Sequence, residues 1–294
     1  VKSIMESNAV DLDSYLVENS KVILENAMIE QWSAVRKESN YLNSVLSDLL
    51  KEQRADIEKF TKDKELQKEY TQRVFPELLE SLRRDTTCGV FLVMANDQPI
   101  GAPGDFTGFF LRDSDPVTKV DTNSDLLLER GDKTLARQWG ITLDNSWSPA
   151  FRFQGKGIRE SDDFFYEPYT AGMAHTGVDM ASLGYWSMPF ILEDYEMDNH
   201  KMITYSVPLV NDGVIYGVVG TEVSVSYLCN TYFRVQDLNR QQTAGYAIAV
   251  DNGDGTYENI AGKGNLYDAV QRENGIFKLE STKHEDLFKV KDSK

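Results

Sequence analysis

The side chains with the most to offer chemically lie close together in the middle of the chain. Phe151, Phe153, Phe164, Phe165, Tyr166, Tyr169, Tyr185 and Trp186 fall within 36 residues, with Arg152, Arg159, Asp162, Asp163 and Glu167 among them. Aromatic walls with a few placed polar groups are how a small-molecule pocket is built. Rings lying over a ligand ammonium would add cation–π attraction. Taken singly, each residue would serve equally well as core; taken as a cluster, they point to a pocket. Adjacent carboxylates such as Asp162 and Asp163 could act as general acid and base. In a chain with 47 acidic residues, though, neighbouring acids arise by chance.

Other chemistries find little support. The sequence has no G-x-S-x-G elbow, no H-E-x-x-H and no phosphate-cradling G-x-x-x-x-G-K-[ST]. Its three histidines, His175, His200 and His284, are far apart. Asp251-Asn252-Gly253-Asp254-Gly255 superficially suggests a calcium loop. Gly253 occupies the third position, where such a loop needs Asp or Asn, so a tight hairpin turn is predicted. Cys88 and Cys229 fit neither a zinc spacing nor a disulfide scaffold; two buried free thiols are expected, with a single bridge in an oxidising compartment as the alternative. No catalytic residue, metal or cofactor is expected.

The elements that must position these residues follow from where glycine and proline fall. The first Pro is Pro76 and the first Gly is Gly89. Apolar residues recur at three- and four-residue steps from Leu12 to Leu49 and on to Ile57 and Phe60, with Glu and Lys between them, which predicts a one-sided helix. A helix of about 55 residues would be on the order of 80 Å long, longer than one compact domain needs. It is expected to be a spine along more than one module, or the seam of a homodimer. A second helix is predicted at 64–84, kinked or interrupted at Pro76.

Strand signals begin at 89–95 and 108–112. Residues 126–139 read as short helix and loop, and 145–177 as a long structured connection of the kind that carries function. Strands are predicted at 185–190, 201–210 and 214–223, with an acidic hairpin loop at 193–199, and a helix at 226–237. Strands at 246–250 and 256–260 open a smaller module. The fold class is therefore α+β: a long N-terminal helical spine with two antiparallel-sheet modules, the second smaller. The expected divisions are 1–85, 86–236 and 237–294.

Composition narrows the partners. The net charge is −16, which argues against nucleic acid and against docking on an anionic membrane. The 41% hydrophobic content supports a real core. No run approaches the roughly 20 apolar residues needed to cross a bilayer. The chain starts Val1-Lys2-Ser3, with neither initiator Met nor apolar leader, and reads as an excised piece.

This order of elements resembles the double Cache extracellular sensor domain, a pair of PAS-like modules held between two transmembrane helices of bacterial receptors. The most specific stretch is Lys201 to Ser224, which is similar to the family's last two strands and ends in Gly217-Val218-Val219-Gly220-Thr221-Glu222-Val223-Ser224. Phe165-Tyr166-Glu167-Pro168-Tyr169 resembles the family's Trp-Tyr step, and Tyr185 to Phe190 its Trp-Ser-x-Pro-Tyr strand. The resemblance implies a small-molecule ligand in the membrane-distal module, with no enzymatic activity, in an extracellular or periplasmic part of a membrane receptor such as a histidine kinase, diguanylate cyclase or chemoreceptor. The flanking transmembrane helices lie outside this chain.

The implied ligand contacts are Arg152, Asp163, Phe165, Tyr166, Tyr185, Trp186, Tyr205 and Glu222. Two departures bear on the ligand. The Arg that amino-acid-binding members carry two residues before the Trp is Asp163 here. The closing Asp that holds the ligand amine is Glu222. An amine can still be held, but a carboxylate clamp is missing unless Arg152 or Arg159 supplies it. That points away from a free amino acid and favours an amine-containing metabolite, with a polyol or another metabolite left open. The resemblance further implies a relay, in which ligand shifts the helix after Glu222. Two alternatives stay open: an extracellular dimerisation or adhesion module without a ligand, and a hydrolase using Asp162, Asp163 or Glu222.

Overall fold

Ninety residues with a single helix breaker do become helix, but in pieces. In the computed structural model, which describes residues 2–32, 35–118, 122–192, 201–232, 245–264, 275–281 and 288–292, α1 spans Lys2–Asn26, a π-helical turn spans Ala27–Trp32, and α2 spans Val35–Gln53. The apolar stripe predicted to run on through Ile57 and Phe60 is broken after Gln53. Arg54 adopts φ +49°, and Asp56 caps a new helix, α3 (Ile57–Lys62), by accepting from Lys59 N at 2.8 Å. Asp63 then caps α4 (Lys64–Arg84) through Glu65 N and Leu66 N. These are the short side-chain acceptors that satisfy orphan amides at helix starts. Helix α4 runs through Pro76.

The chain divides into two compact units, residues 25–224 and residues 1–24 with 225–294. The larger is built on a seven-stranded sheet in the order β5-β4-β3-β1-β9-β8-β7. Its strands are β1 (Gly89–Met94), β3 (Gly108–Asp113), β4 (Leu126–Arg130), β5 (Thr142–Ser148), β7 (Tyr185–Trp186), β8 (Met202–Asn211) and β9 (Val214–Ser224). Neighbours are antiparallel except β4 and β5. Residues 126–130, read from sequence as helix and loop, are strand. Three consecutive leucines suit a central strand buried on both faces, and the helix that follows, α5, is confined to Lys133–Trp139.

Alternation along β1 sorts the core. Val90, Leu92 and Met94 face α2 and α4, joining Leu42, Leu46 and Leu49 of the first helix and Tyr70, Val74, Phe75 and Leu78 of the second. Phe91 and Val93 face the other way, toward α6 (Asp163–Ala174) and the small pair of strands β2 (Gly104–Phe106) and β6 (Phe151–Phe153). We call these the helix face and the loop face.

The smaller unit contains α1 as far as Leu24, α7 (Val225–Tyr232) and an antiparallel sheet of β10 (Tyr246–Asp251), β11 (Tyr257–Lys263), β12 (Ile276–Ser281) and β13 (Phe288–Asp292). The predicted turn at 251–255 joins β10 to β11, with Gly253 N held by Asp251 and Thr256 N by Asp254. The helix expected at 226–237 is α7 as far as Tyr232; its remainder, and the acidic loop at 193–199, lie outside the described residues. Sequence placed the change of module near residues 236–245. The contacts place it at Val225, because α7 packs on β11, with Leu228 buried and Cys229 Sγ 3.5 Å from Gly262 O. Both cysteines are free.

Candidate ligand site

The predicted site residues are distributed over both faces of the large sheet. Trp186 and Tyr205 are opposite each other on β7 and β8. Their rings lie 4.9 Å apart, and both pack on the helix-face core. Tyr205 Oη donates to Ala181 O at 3.4 Å. Phe165 and Tyr166 are on the loop face. The expectation of one pocket touching Phe165, Tyr166, Trp186, Tyr205 and Glu222 is therefore corrected: a seven-stranded sheet separates the first pair from the second.

The expectation that the rings after Asn145 wall a vacancy is corrected as well for those on the loop face. Phe165 and Tyr166 are in α6, not in an open loop, and their rings are in contact with one another. Phe165 stacks on Phe153 at 5.0 Å and on Tyr169 at 5.2 Å; Phe164 meets Phe91 at 4.9 Å and Phe190 at 5.5 Å. Contacts at 4.5–7 Å are favourable aromatic packing, so these rings make a core. Tyr166 uses its polar end to tie down a connection, Oη donating to Ala102 O at 2.7 Å, and burial pushes its hydroxyl up to about 12.

Neither candidate clamp arginine takes that role. Arg152 is exposed on β6, opposite Asp105. Arg159 is bound to buried Asp162 through Nε at 3.0 Å and Nη2 at 2.6 Å, and also donates to Arg152 O. Asp162 Oδ2 accepts from Gln154 N at 2.7 Å, so Asp162 pins the segment leading into α6 and is not a free acid. Asp163 and Tyr185 are half-buried and share an acidic neighbourhood. Burial, then Glu167, raises Asp163; burial, then Asp163, raises the Tyr185 hydroxyl.

Glu222 is where the chemistry concentrates. It sits on β9 opposite Gly89 of β1 and Thr204 of β8, on the loop face, with no exposed surface. A Cβ on Gly89 would lie 2.4 Å from Glu222 Oε2, so glycine there is what lets the carboxylate lie across the strand. Arg112 of β3, also opposite Gly89, donates from Nε to Glu222 Oε2 at 3.5 Å and forms an ion pair through Nη1 with Glu129 of β4. Arg130 donates Nη1 to the carbonyls of Glu129 and Ser146 at 2.7 and 3.0 Å. Beside them, Thr204 donates from N and Oγ1 to Ser187 Oγ at 2.9 and 3.2 Å. Burial raises Glu129 to about 8; Arg112 opposes the shift, and Glu222 and Asp144 add to it.

One end of the loop face is thus a buried ionic strip, and its other end is aromatic core. Sequence reasoning found Glu222 but missed Arg112 and Glu129. Their signal was a charged residue closing an otherwise apolar strand, Phe109-Phe110-Leu111-Arg112 and Leu126-Leu127-Leu128-Glu129. Among the described residues no group of three or more His, Cys, Asp or Glu is arranged to hold a metal.

No family model matches the chain, and no curated protein does. Solved structures do. The chain is similar to the extracellular domain of the histidine kinase mmHK1S-Z3 (12% identity, 91% of this chain and 73% of that one, TM-score 0.39). It is similar to the corresponding domain of soHK1S-Z6 (16%, 75% and 66%, 0.33), of which it spans about two thirds. It is also similar to the ligand-binding domain of the Campylobacter jejuni chemoreceptor Tlp3 in complex with L-norvaline (16%, 85% and 71%, 0.33). No described helix is long and apolar enough to cross a membrane.

Proposed function

We propose that this chain is the extracytosolic sensor portion of a bacterial membrane receptor. In this reading residues 25–224 bind a small metabolite carrying an amine, and the chain is not an enzyme. The observation that carries the reading is the placement of Glu222. The resemblance assigns that position to the ligand's ammonium, and the side chain is turned inward, at the centre of a buried strip with Arg112, Glu129, Thr204 and Ser187. A core has no need of this arrangement: replacing buried ion pairs with apolar side chains is often neutral or stabilising. The half-buried Asp163 and Tyr185 extend the same face with an acid and a ring suited to a cation. The arginine near a ligand carboxylate would be Arg112 instead of Arg152 or Arg159.

The relay follows from connectivity. Strand β9 ends at Ser224 and α7 begins at Val225, so a ligand that repositions Glu222 acts three residues from that helix. It can shift the equilibrium only through its difference in affinity for the two arrangements. The exposed Leu12, Tyr15, Val17, Val22 and Ile23 of α1 support a homodimer through that helix. The discriminating experiment is a thermal-shift screen of primary amines, polyamines and amino acids against the parent chain and Glu222→Gln. A hit should stabilise the parent and lose most of its shift in the variant. A hit that stabilises both equally sinks the assignment, and a dimer without hits favours an adhesion module.

A further inference from the structure

The ionic strip poses a charge problem that does not depend on any small molecule. Two carboxylates, Glu129 and Glu222, share the guanidinium of Arg112, and all three side chains are nine-tenths or more buried. Glu129 meets Arg112 Nη1 only as an ion pair, and neither of its carboxylate oxygens accepts a hydrogen bond of good geometry. The charged groups facing it among the described residues are Arg112 of β3, Glu222 of β9, Asp144 of β5 and its neighbour Arg130 on β4. Arg130 spends Nη1 on main-chain carbonyls. An ionised carboxylate so placed keeps little of the solvation it had in water, and burying one is costly unless it is paired and hydrogen-bonded.

We infer that Glu129 is a proton-binding site and that the proton is a second signal read by this module. With the proton bound, Arg112 pairs with Glu222 alone. When the proton leaves, Glu129 competes with Glu222 for the same guanidinium, and the end of β9 that leads into α7 is loosened. The direction of the shift at Glu129, up to about 8 through burial, agrees with the geometry and sets the working range.

The sign follows. An acid raised on folding binds its proton more tightly in the folded state, so stability is highest below its unfolded value and is lost as pH rises toward the folded one. Asp113, raised to about 6, completes its own contribution by then, which leaves the window from about pH 6 to about pH 8 to Glu129.

The test uses the whole chain without any ligand. All four tryptophans fall within residues 25–224, so their fluorescence during urea unfolding reports the larger unit. The folding equilibrium constant of the parent should fall by about tenfold per pH unit through the middle of that window. Glu129→Gln should flatten this dependence, while Glu38→Gln, which removes the other raised and buried glutamate among the described residues, should keep it. A parent without the dependence, or a Glu129→Gln variant that retains it, overturns the inference. Should Glu129→Gln fail to fold, the decision passes to infrared spectra of the Glu38→Gln variant carrying ¹³C-glutamate. A buried carboxylic acid that ionises within the window supports the inference, and its absence overturns it. Because no metabolite takes part, failure of the amine reading leaves this result standing, and the reverse also holds.

Discussion

The two faces of the seven-stranded sheet are closed by different means, the helix face by the larger apolar core. On the helix face α2 and α4 lay leucine, valine and aromatic side chains on Val90, Leu92, Val207 and Val219. At the centre of this face the polar groups are neutral, with Glu38 and Asp113 placed at its ends: Tyr70 Oη lies 3.0 Å from Tyr216 Oη and donates to Leu42 O, and Tyr216 Oη donates to Asn43 Oδ1 at 2.9 Å. The loop face keeps the same strand alternation, but at one end it replaces apolar pairs with Arg112, Glu129 and Glu222. A sheet that can complete one face with hydrocarbon does not need charge to complete the other. The asymmetry separates what holds the module together from what makes it responsive.

The sharpest way to break that comparison is Arg112→Met. It preserves bulk but leaves Glu129 and Glu222 buried without the guanidinium they share. Removing one partner from a buried charge set costs about 3–5 kcal/mol, and the loss should be read in urea midpoints by tryptophan fluorescence. The deficit should be larger at pH 9 than at pH 6, since protonation of Glu129 relieves part of it. A small and pH-independent effect would mean that the strip is no more than packing. A smaller effect is expected from Asp113→Asn. Asp113 follows Arg112 on β3, so its side chain points to the opposite face, with Leu111. Burial raises it to about 6, Asp125 and Asp115 add to the shift, and Arg83 opposes it. Its stabilisation is complete below about pH 4 and lost as pH passes about 6. The variant should flatten that acidic range only, leaving the higher one to Glu129.

How much of this could be read from the amino acids depends on which interactions set each element. Helices α1, α2 and α4 follow from local propensity, with a cap at Asp63 for α4, so their range was legible even though the break at Arg54 and Asp56 was passed over. Strands β1, β3, β8 and β9 announced themselves as apolar runs between turns. Strand β4 did not, because Leu126-Leu127-Leu128-Glu129 is equally good helix, and only its pairing with Arg112 and Leu111 of β3 decides the matter. The site was half legible. Glu222 came from a resemblance; Phe165 and Tyr166 were judged by type, and an aromatic side chain does not say whether it lines a space or fills one. Trp186 and Tyr205 were assigned to the same pocket because sequence carries no statement of which sheet face a strand presents until its register is known. Arg112 and Glu129 are 17 positions apart in sequence and meet only because β3 and β4 are paired.

The finest comparison sets one hydroxyl on each face against the other. Tyr216→Phe deletes a phenol oxygen that bridges Tyr70 and Asn43 on the helix face. Asn43 loses its donor, while Tyr70 keeps Leu42 O, and the cost should be about 1 kcal/mol. Thr204→Val on the loop face removes Oγ1 from its 3.2 Å contact with Ser187 Oγ. Ser187 still accepts from Thr204 N at 2.9 Å, so no buried donor is stranded and the cost should be nearer about 0.5 kcal/mol. What differs is the second readout. Tyr216 lies in a closed apolar core, so its loss should leave the pH dependence between about pH 6 and about pH 8 untouched. Thr204 stands directly opposite Glu222, which shares Arg112 with Glu129, and a valine there removes a polar neighbour from the strip. The variant should therefore steepen or displace that dependence even though its effect on stability is the lesser. If Thr204→Val and Tyr216→Phe leave the same pH profile, the two ends of the sheet are energetically alike and the distinction between a holding face and a responsive one fails.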